Sequence, residues 1–173
     1  MKIILERNLN FIQFQNLVIV TFVLIMTFLA MLNSLALVDF ILIKIILFLL
    51  IIFFTLLLLT KKGLVVENNR LYKAVFLFNQ LIFRKEVPNN LKRFSLLVGK
   101  LSTNYNYSYE IADFHNWEPN LNVSISAYSL MILSDDHRKR MNVLTLTKIE
   151  KAKEAVDFVI KNTSLKYEKY NPT

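Results

Sequence analysis

The sequence predicts an α+β protein: a two-helix transmembrane hairpin followed by a small antiparallel β-barrel or sandwich of six or seven strands, capped by a C-terminal helix. Three observations predict it. Of 173 residues 54% are hydrophobic, and the excess sits at the front, where no charged residue occurs from Asn8 to Val38 or from Ile45 to Thr60. After Lys62 the apolar residues fall into short β-branched and aromatic runs broken by Asn, Pro and Asp. From Ile149 onward they recur at helical intervals.

A bilayer core about 30 Å thick needs about 20 apolar residues at about 1.5 Å rise each. Phe11 to Leu32 supplies 22 and Phe40 to Thr60 supplies 21, so an N-terminal segment 1–62 is expected to hold helices at about 11–32 and 40–60. A cleaved signal peptide would also place Lys2 and Arg7 ahead of an apolar run. This run is too long for one, and neither Ala30 nor Ala36 belongs to an A-x-A cleavage signature. Asp39 fits the N-cap of the second helix, and Lys44, one turn deeper, is expected to snorkel toward the interface. Fourteen of the fifteen residues from Ile45 to Leu59 are Ile, Leu or Phe, which outweighs one Lys. Basic residues flank both outer ends (Lys2, Arg7; Lys61, Lys62, Arg70, Lys73) and are missing from the connection 33–38, which predicts a multi-pass protein of the inner (plasma) membrane with both termini cytoplasmic.

The domain expected over 63–163 begins with Leu64–Glu67 and Leu71–Phe78, separated by Asn68-Asn69, a dipeptide that tolerates the positive φ of a tight turn. Leu81–Val87 follows the turn Asn79-Gln80, with Leu81, Phe83 and Val87 on one face, and stops at Pro88. Leu91–Val98 alternates with Phe94, Leu96 and Val98 together. Val123–Leu133 and Lys139–Thr147 form a further hairpin about Ser134-Asp135-Asp136-His137, and 102–122 reads as polar, with a possible strand at Tyr105, Tyr107 and Tyr109. Thr147 and Glu150 have capping-box spacing, and Ile149, Ala152, Ala155, Val156, Val159 and Ile160 define one face of a helix over 148–162. Residues 164–173 read as a polar tail with no core to join.

A short transmembrane hairpin, Gly63-Leu64 opening a strand, Arg70-Leu71 opening the next, the strand end Arg84-Lys85-Glu86-Val87-Pro88 and a final helix after Leu144-Thr145-Leu146 resemble membrane-anchored bacterial proteins with a pleckstrin-homology-like domain. The resemblance covers nearly the whole chain and rests on the order of elements. It implies a scaffold or binding role. Phosphoinositide-binding members of the wider fold carry several Lys and Arg around the first hairpin loop. Here that loop is Asn68-Asn69, with Arg70 and Lys73 beyond.

Composition excludes several chemistries. The absence of cysteine removes disulfides, thiol nucleophiles and thiolate-held metals, and two glycines are too few for a phosphate-cradling loop. Asp135-Asp136-His137 suits a turn better than a metal or acid–base site, because adjacent turn residues point apart. No catalytic residue, cofactor or metal is therefore expected. Sixty-one onward, 18 Lys and Arg face 11 Asp and Glu. Arg84-Lys85, Lys92-Arg93 and Arg138-Lys139-Arg140 are expected to face water, anionic lipid or a protein partner, each cation near an anionic leaflet contributing about 1 kcal/mol. Tyr105, Tyr107, Tyr109 and Trp117 suit the domain core, a bilayer interface or a ligand platform. Tethering argues against nucleic acid. The expected function is a non-enzymatic binding or scaffold domain at the cytoplasmic face, the alternative being a small regulatory subunit of a membrane complex or pore in which the hairpin acts.

Overall fold

The computed structural model describes residues 1–32, 41–88, 92–103, 123–134 and 138–170. They contain β1 (Lys2–Arg7), α1 (Phe11–Leu32), α2 (Ile41–Leu58), β2 (Lys61–Glu67), β3 (Arg70–Leu77), β4 (Gln80–Glu86), β5 (Arg93–Thr103), β6 (Val123–Leu133), β7 (Arg140–Leu146), α3 (Ile149–Asn162) and β8 (Lys166–Tyr167). The strands form two sheets, ordered β1-β2-β3-β4 and β7-β6-β5-β8. The chain divides into two compact units, one of Lys2–Val65 with Tyr72–Lys85, the other of Met1, Val66–Leu71 and Glu86–Thr173.

In the first unit the apolar helices are an excursion between two paired strands. β1 runs antiparallel to β2, from Lys2 opposite Val65 to Arg7 opposite Lys61, with an irregularity between Ile4 and Glu6. The pairing continues to the helices, where the Asn8 N–H donates to the Thr60 carbonyl at 3.0 Å. Asn10 and Gln13 then form a reciprocal cap: the Gln13 N–H donates to Asn10 Oδ1 at 2.7 Å and the Asn10 N–H to Gln13 Oε1 at 3.2 Å. Gly63 has a specific reason to lack a side chain, since a Cβ there would collide with the Ile3 carbonyl oxygen and lie 2.9 Å from the Phe76 ring. Phe76 joins Val65 and Ala74 in a buried cluster with Ile4 and Tyr72 against it.

Helices α1 and α2 are both long and apolar enough to cross a membrane, and only 6% of the apolar span of each is buried. Phe28 and Phe48 meet at 5.9 Å between ring centroids, while Phe22, Val23, Phe53 and Leu49 point outward. Lys44 is buried, and its Nζ has no hydrogen-bond partner among the described residues.

In the second unit β5 pairs with β6 without a break from Arg93–Leu133 to Thr103–Val123, and β6 pairs with β7 with one irregularity at Leu130/Met131. α3 packs on β6 and β7 through a stripe of Ala152, Ala155 and Val159, all fully buried. Phe94, Leu130, Ile132, Leu133, Val143, Leu144 and Leu146 complete the core.

Several expectations need correcting. The described residues hold eight strands in two four-stranded sheets: β2 to β7 supply six over the stretch expected to hold six or seven, β1 and β8 lie outside it, and no closed ring of strands forms among them. Lys2–Arg7 is a strand, not merely a charged flank. Residues 164–170 are no free tail: β8 joins β5 in parallel, the Glu168 N–H donates to the Phe94 carbonyl at 2.9 Å, the Tyr170 N–H to Ser95 Oγ at 3.0 Å, and the Tyr167 ring meets Phe94 edge-on at 5.3 Å. β4, at one edge of its sheet, buries neither face and leaves Leu81, Ile82 and Phe83 exposed; Val98 is 70% exposed on β5. The second turn falls on Phe78 and Asn79, whose φ values are 49° and 67°. In α3 the N-cap is Lys148, with no side-chain cap bond, and Ile149 and Ile160 lie exposed off the buried stripe. The turn residues 135–137 and the stretch 104–122 lie outside the described residues.

Candidate functional site

The Asn68-Asn69 turn has the geometry its sequence demands, with φ of 51° and 60°, values that Asn reaches more cheaply than most residues. The Asn69 carboxamide then grips the segment that follows α3: its Nδ2 donates to Ser164 Oγ and its Oδ1 accepts from the Ser164 N–H, both at 3.1 Å. Thr163 makes this reach possible by ending the helix. Its hydroxyl donates to the Val159 carbonyl at 2.8 Å and accepts from the Leu165 N–H at 3.3 Å, which turns the chain out of α3. The Lys166 N–H next donates to the Lys92 carbonyl at 3.0 Å, starting β8 beside β5.

These elements enclose a cleft of about 560 Å³ wholly within the second unit. One wall is apolar, made by Leu71, Val87, Pro88, Ile132 and Leu165. Val87 is fixed there by donating its N–H to the Leu71 carbonyl at 2.9 Å. The rest is polar and positive. Arg70, Lys92, Arg93 and Lys166 line it with Asn68, Asn69 and Ser164, and among the described residues no carboxylate does. Two cations have anionic partners beyond the lining: Arg70 pairs with Glu86 at 3.2 Å and Arg93 with Glu168 at 2.6 Å. The exposed ammonium groups of Lys92 and Lys166 have no ion pair among the described residues.

Sheet register explains the concentration of charge. Arg140 lies opposite Leu133, Leu133 opposite Arg93, and Arg93 opposite Lys166, so three cations occupy one row across neighbouring strands about 4.8 Å apart. Arg138 and Lys139 precede that row in the turn before β7, which the Lys139 N–H closes on Ser134 Oγ at 3.0 Å. Of the basic residues singled out in the sequence, Lys92, Arg93, Arg138, Lys139 and Arg140 thus share one end of a sheet. Arg84 and Lys85 belong to β4 in the other unit, with Arg84 stacked 5.1 Å from the Tyr72 ring centroid. Tyr105, Tyr107, Tyr109 and Trp117 lie outside the described residues.

Sequence reasoning missed Arg70 and Lys166 as members of this cleft, and with them the Asn69–Ser164 clamp. Arg70 could have been flagged by its place after the turn. Nothing in a ten-residue polar tail signals that Lys166 pairs beside Arg93. A second basic group outside the cleft is Lys62 on β2, which is buried 3.9 Å from Glu6. Burial lowers its pKa from the ordinary lysine value, Glu6 opposes that, and Lys73 adds to it. Among the described residues no group of three or more His, Asp or Glu is placed to hold a metal ion. Comparison with protein-family models, with curated proteins and with solved structures finds no match to the chain.

Proposed function

We propose that the chain is a membrane-anchored, non-enzymatic binding or scaffold protein of the inner (plasma) membrane, its hairpin holding a pleckstrin-homology-like domain at the cytoplasmic face where it engages anionic lipid or a protein partner. The observation that carries the anchor is the excursion of two outward-apolar helices between paired strands: β1 and β2 are hydrogen-bonded neighbours, so the chain leaves and re-enters the sheet on one side of any bilayer the helices cross. The basic residues at that crossing, Arg7, Lys61 and Lys62, favour the cytoplasmic side. The basic cleft and the Arg138–Arg140 turn support a binding role through their excess of cations over carboxylates.

The buried, unpartnered ammonium of Lys44 supports a second reading, a hairpin that acts within a larger membrane complex. Extraction separates the two. The full chain is expected to stay in membranes at alkaline pH and to enter solution only with detergent. Co-purification of a transmembrane partner lost in Lys44→Leu would favour the second reading. Release by alkaline wash alone would refute the anchor.

A further inference from the structure

We propose that the β3–β4 hairpin is a second membrane contact, an interfacial wedge whose Phe78, Leu81, Ile82 and Phe83 lie among lipid headgroups beside the ends of α1 and α2. Position is the first ground. The Asn68-Asn69 turn has two residues, so counting back from it along β2 and β3 sets Leu77 alongside Thr60, which follows α2. The next turn, Phe78-Asn79, therefore stands where a bilayer crossed by both helices passes from hydrocarbon to headgroups. Helices, turn and residues 80–85 belong to one compact unit. Chemistry is the second ground. Two-residue turns favour Asn, Asp or Gly, because both central residues take positive φ. Here a phenylalanine holds φ at 49° and is 70% exposed, a costly conformation for a bulky side chain that the fold does not repay with burial. Leu81, Ile82 and Phe83 continue the exposed apolar surface along β4.

Water rewards none of these four side chains, and a bilayer is the apolar phase already beside them. The open edge of β4 sets the depth. Its unpaired backbone N–H and carbonyl groups would go unsatisfied in hydrocarbon, so the wedge belongs in the headgroup region and not in the membrane core. Lys61 and Lys85, both exposed, can lay their stems along the apolar residues and bring their ammonium groups to anionic headgroups. The Lys2 ammonium donates to the Asn79 carbonyl at 3.1 Å, which ties the turn to β1 and holds the wedge in place before any lipid arrives. The sheet of this unit then meets the membrane at the helix ends and again at the wedge, which fixes its orientation. The inference rests on the reading of α1 and α2 as membrane spans.

The test is depth-resolved fluorescence quenching of the full chain in vesicles of phosphatidylcholine and phosphatidylglycerol. Because the chain has no cysteine, Phe78→Cys, Ile82→Cys, Ile19→Cys in α1 and Lys153→Cys in α3 can each carry one environment-sensitive label. Lipids bearing a nitroxide near the headgroup or deep in the acyl chain act as quenchers. Labels at Phe78→Cys and Ile82→Cys are expected to be blue-shifted relative to Lys153→Cys and quenched at least about twofold more by the shallow nitroxide than by the deep one, with the reverse order at Ile19→Cys. Adding Leu81→Ser with Phe83→Ser, both exposed positions, is expected to reduce shallow quenching at Phe78→Cys at least about twofold with an unchanged melting temperature in detergent. Unaffected quenching in that variant would overturn the wedge. So would labels at Phe78→Cys and Ile82→Cys as water-exposed as Lys153→Cys while Ile19→Cys is quenched from deep in the bilayer, a result that leaves the anchor standing. Blue-shifted labels that neither nitroxide quenches would also overturn it, by placing a second copy of the chain on β4. Ile19→Cys unquenched by both nitroxides would refute the anchor itself, and the wedge with it.

Discussion

Helices α2 and α3 lie in one chain and obey opposite rules. α3 buries a narrow stripe of Ala152, Ala155 and Val159 and turns Lys153, Glu154 and Lys161 to water. α2 exposes Ile, Leu and Phe around almost its whole circumference and buries, of all its residues, a lysine. Amphipathicity in water needs one apolar stripe, whereas a helix bathed in hydrocarbon needs none, because lipid tails are as apolar as leucine. The contrast marks α2 as a candidate membrane span and α3 as a helix packed on a sheet.

The sharpest way to break that contrast is a charge under α3. Val159→Asp would put an unpaired carboxylate where the native side chain is wholly buried, and should cost about 3–5 kcal/mol, enough to unfold a marginal domain. Thermal melting of the full chain in detergent checks it. A variant that melts like the parent would show that α3 does not cover the core. Gly63→Ala comes next, because its Cβ meets backbone and cannot be relieved by a rotamer change. A loss of about 2 kcal/mol or more is expected, with faster proteolysis of the N-terminal strand. Unchanged stability and protection would mean that β1 does not sit on β2 as described.

A smaller effect belongs to Lys62. Its folded-state pKa is lowered, so between that value and the unfolded lysine value the unfolded chain binds more protons, and stability rises with pH across this window. The cost of burying the ammonium is fully present below the folded pKa. Urea midpoints measured from neutral pH up toward about 10 should increase, and Lys62→Gln should flatten that trend. A parent midpoint that falls over this range would contradict the burial. The smallest effect is predicted on α1: Ile19→Ser, at a side chain already 53% exposed, should shift the melting transition by less than about 0.5 kcal/mol in detergent. A large shift there would mean that α1 is packed like a core helix and not solvated by lipid.

These predictions also mark what could be read from residues alone. Local signals announced themselves: the uncharged runs of α1 and α2, the Asn-Asn turn and the helical spacing of α3 all appear within windows of about twenty residues. What escaped is non-local. β1 is six residues whose partner strand begins only after the whole helical excursion, and its charged ends disguise it as a membrane flank. β8 pairs in parallel with a strand some seventy positions earlier. β4 alternates like a half-buried strand, yet both its faces are exposed, and whether anything packs on a face is a property of the tertiary arrangement. The cleft failed for the same reason: Lys92 and Arg93 stand out as a pair, but Arg70 and Lys166 join them only through the turn and the β5–β8 register.

The central claim, that α1 and α2 leave from and return to one side of a sheet, is open to one direct measurement. The chain has no cysteine, so single replacements report without background. Lys2→Cys in β1, Lys153→Cys in α3 and Ser34→Cys between the helices would be exposed to a membrane-impermeant maleimide in intact cells and again after lysis. The account predicts that Ser34→Cys labels in intact cells, while Lys2→Cys and Lys153→Cys label together and only after lysis. Labelling of Lys2→Cys and Lys153→Cys on opposite sides of the membrane would contradict it.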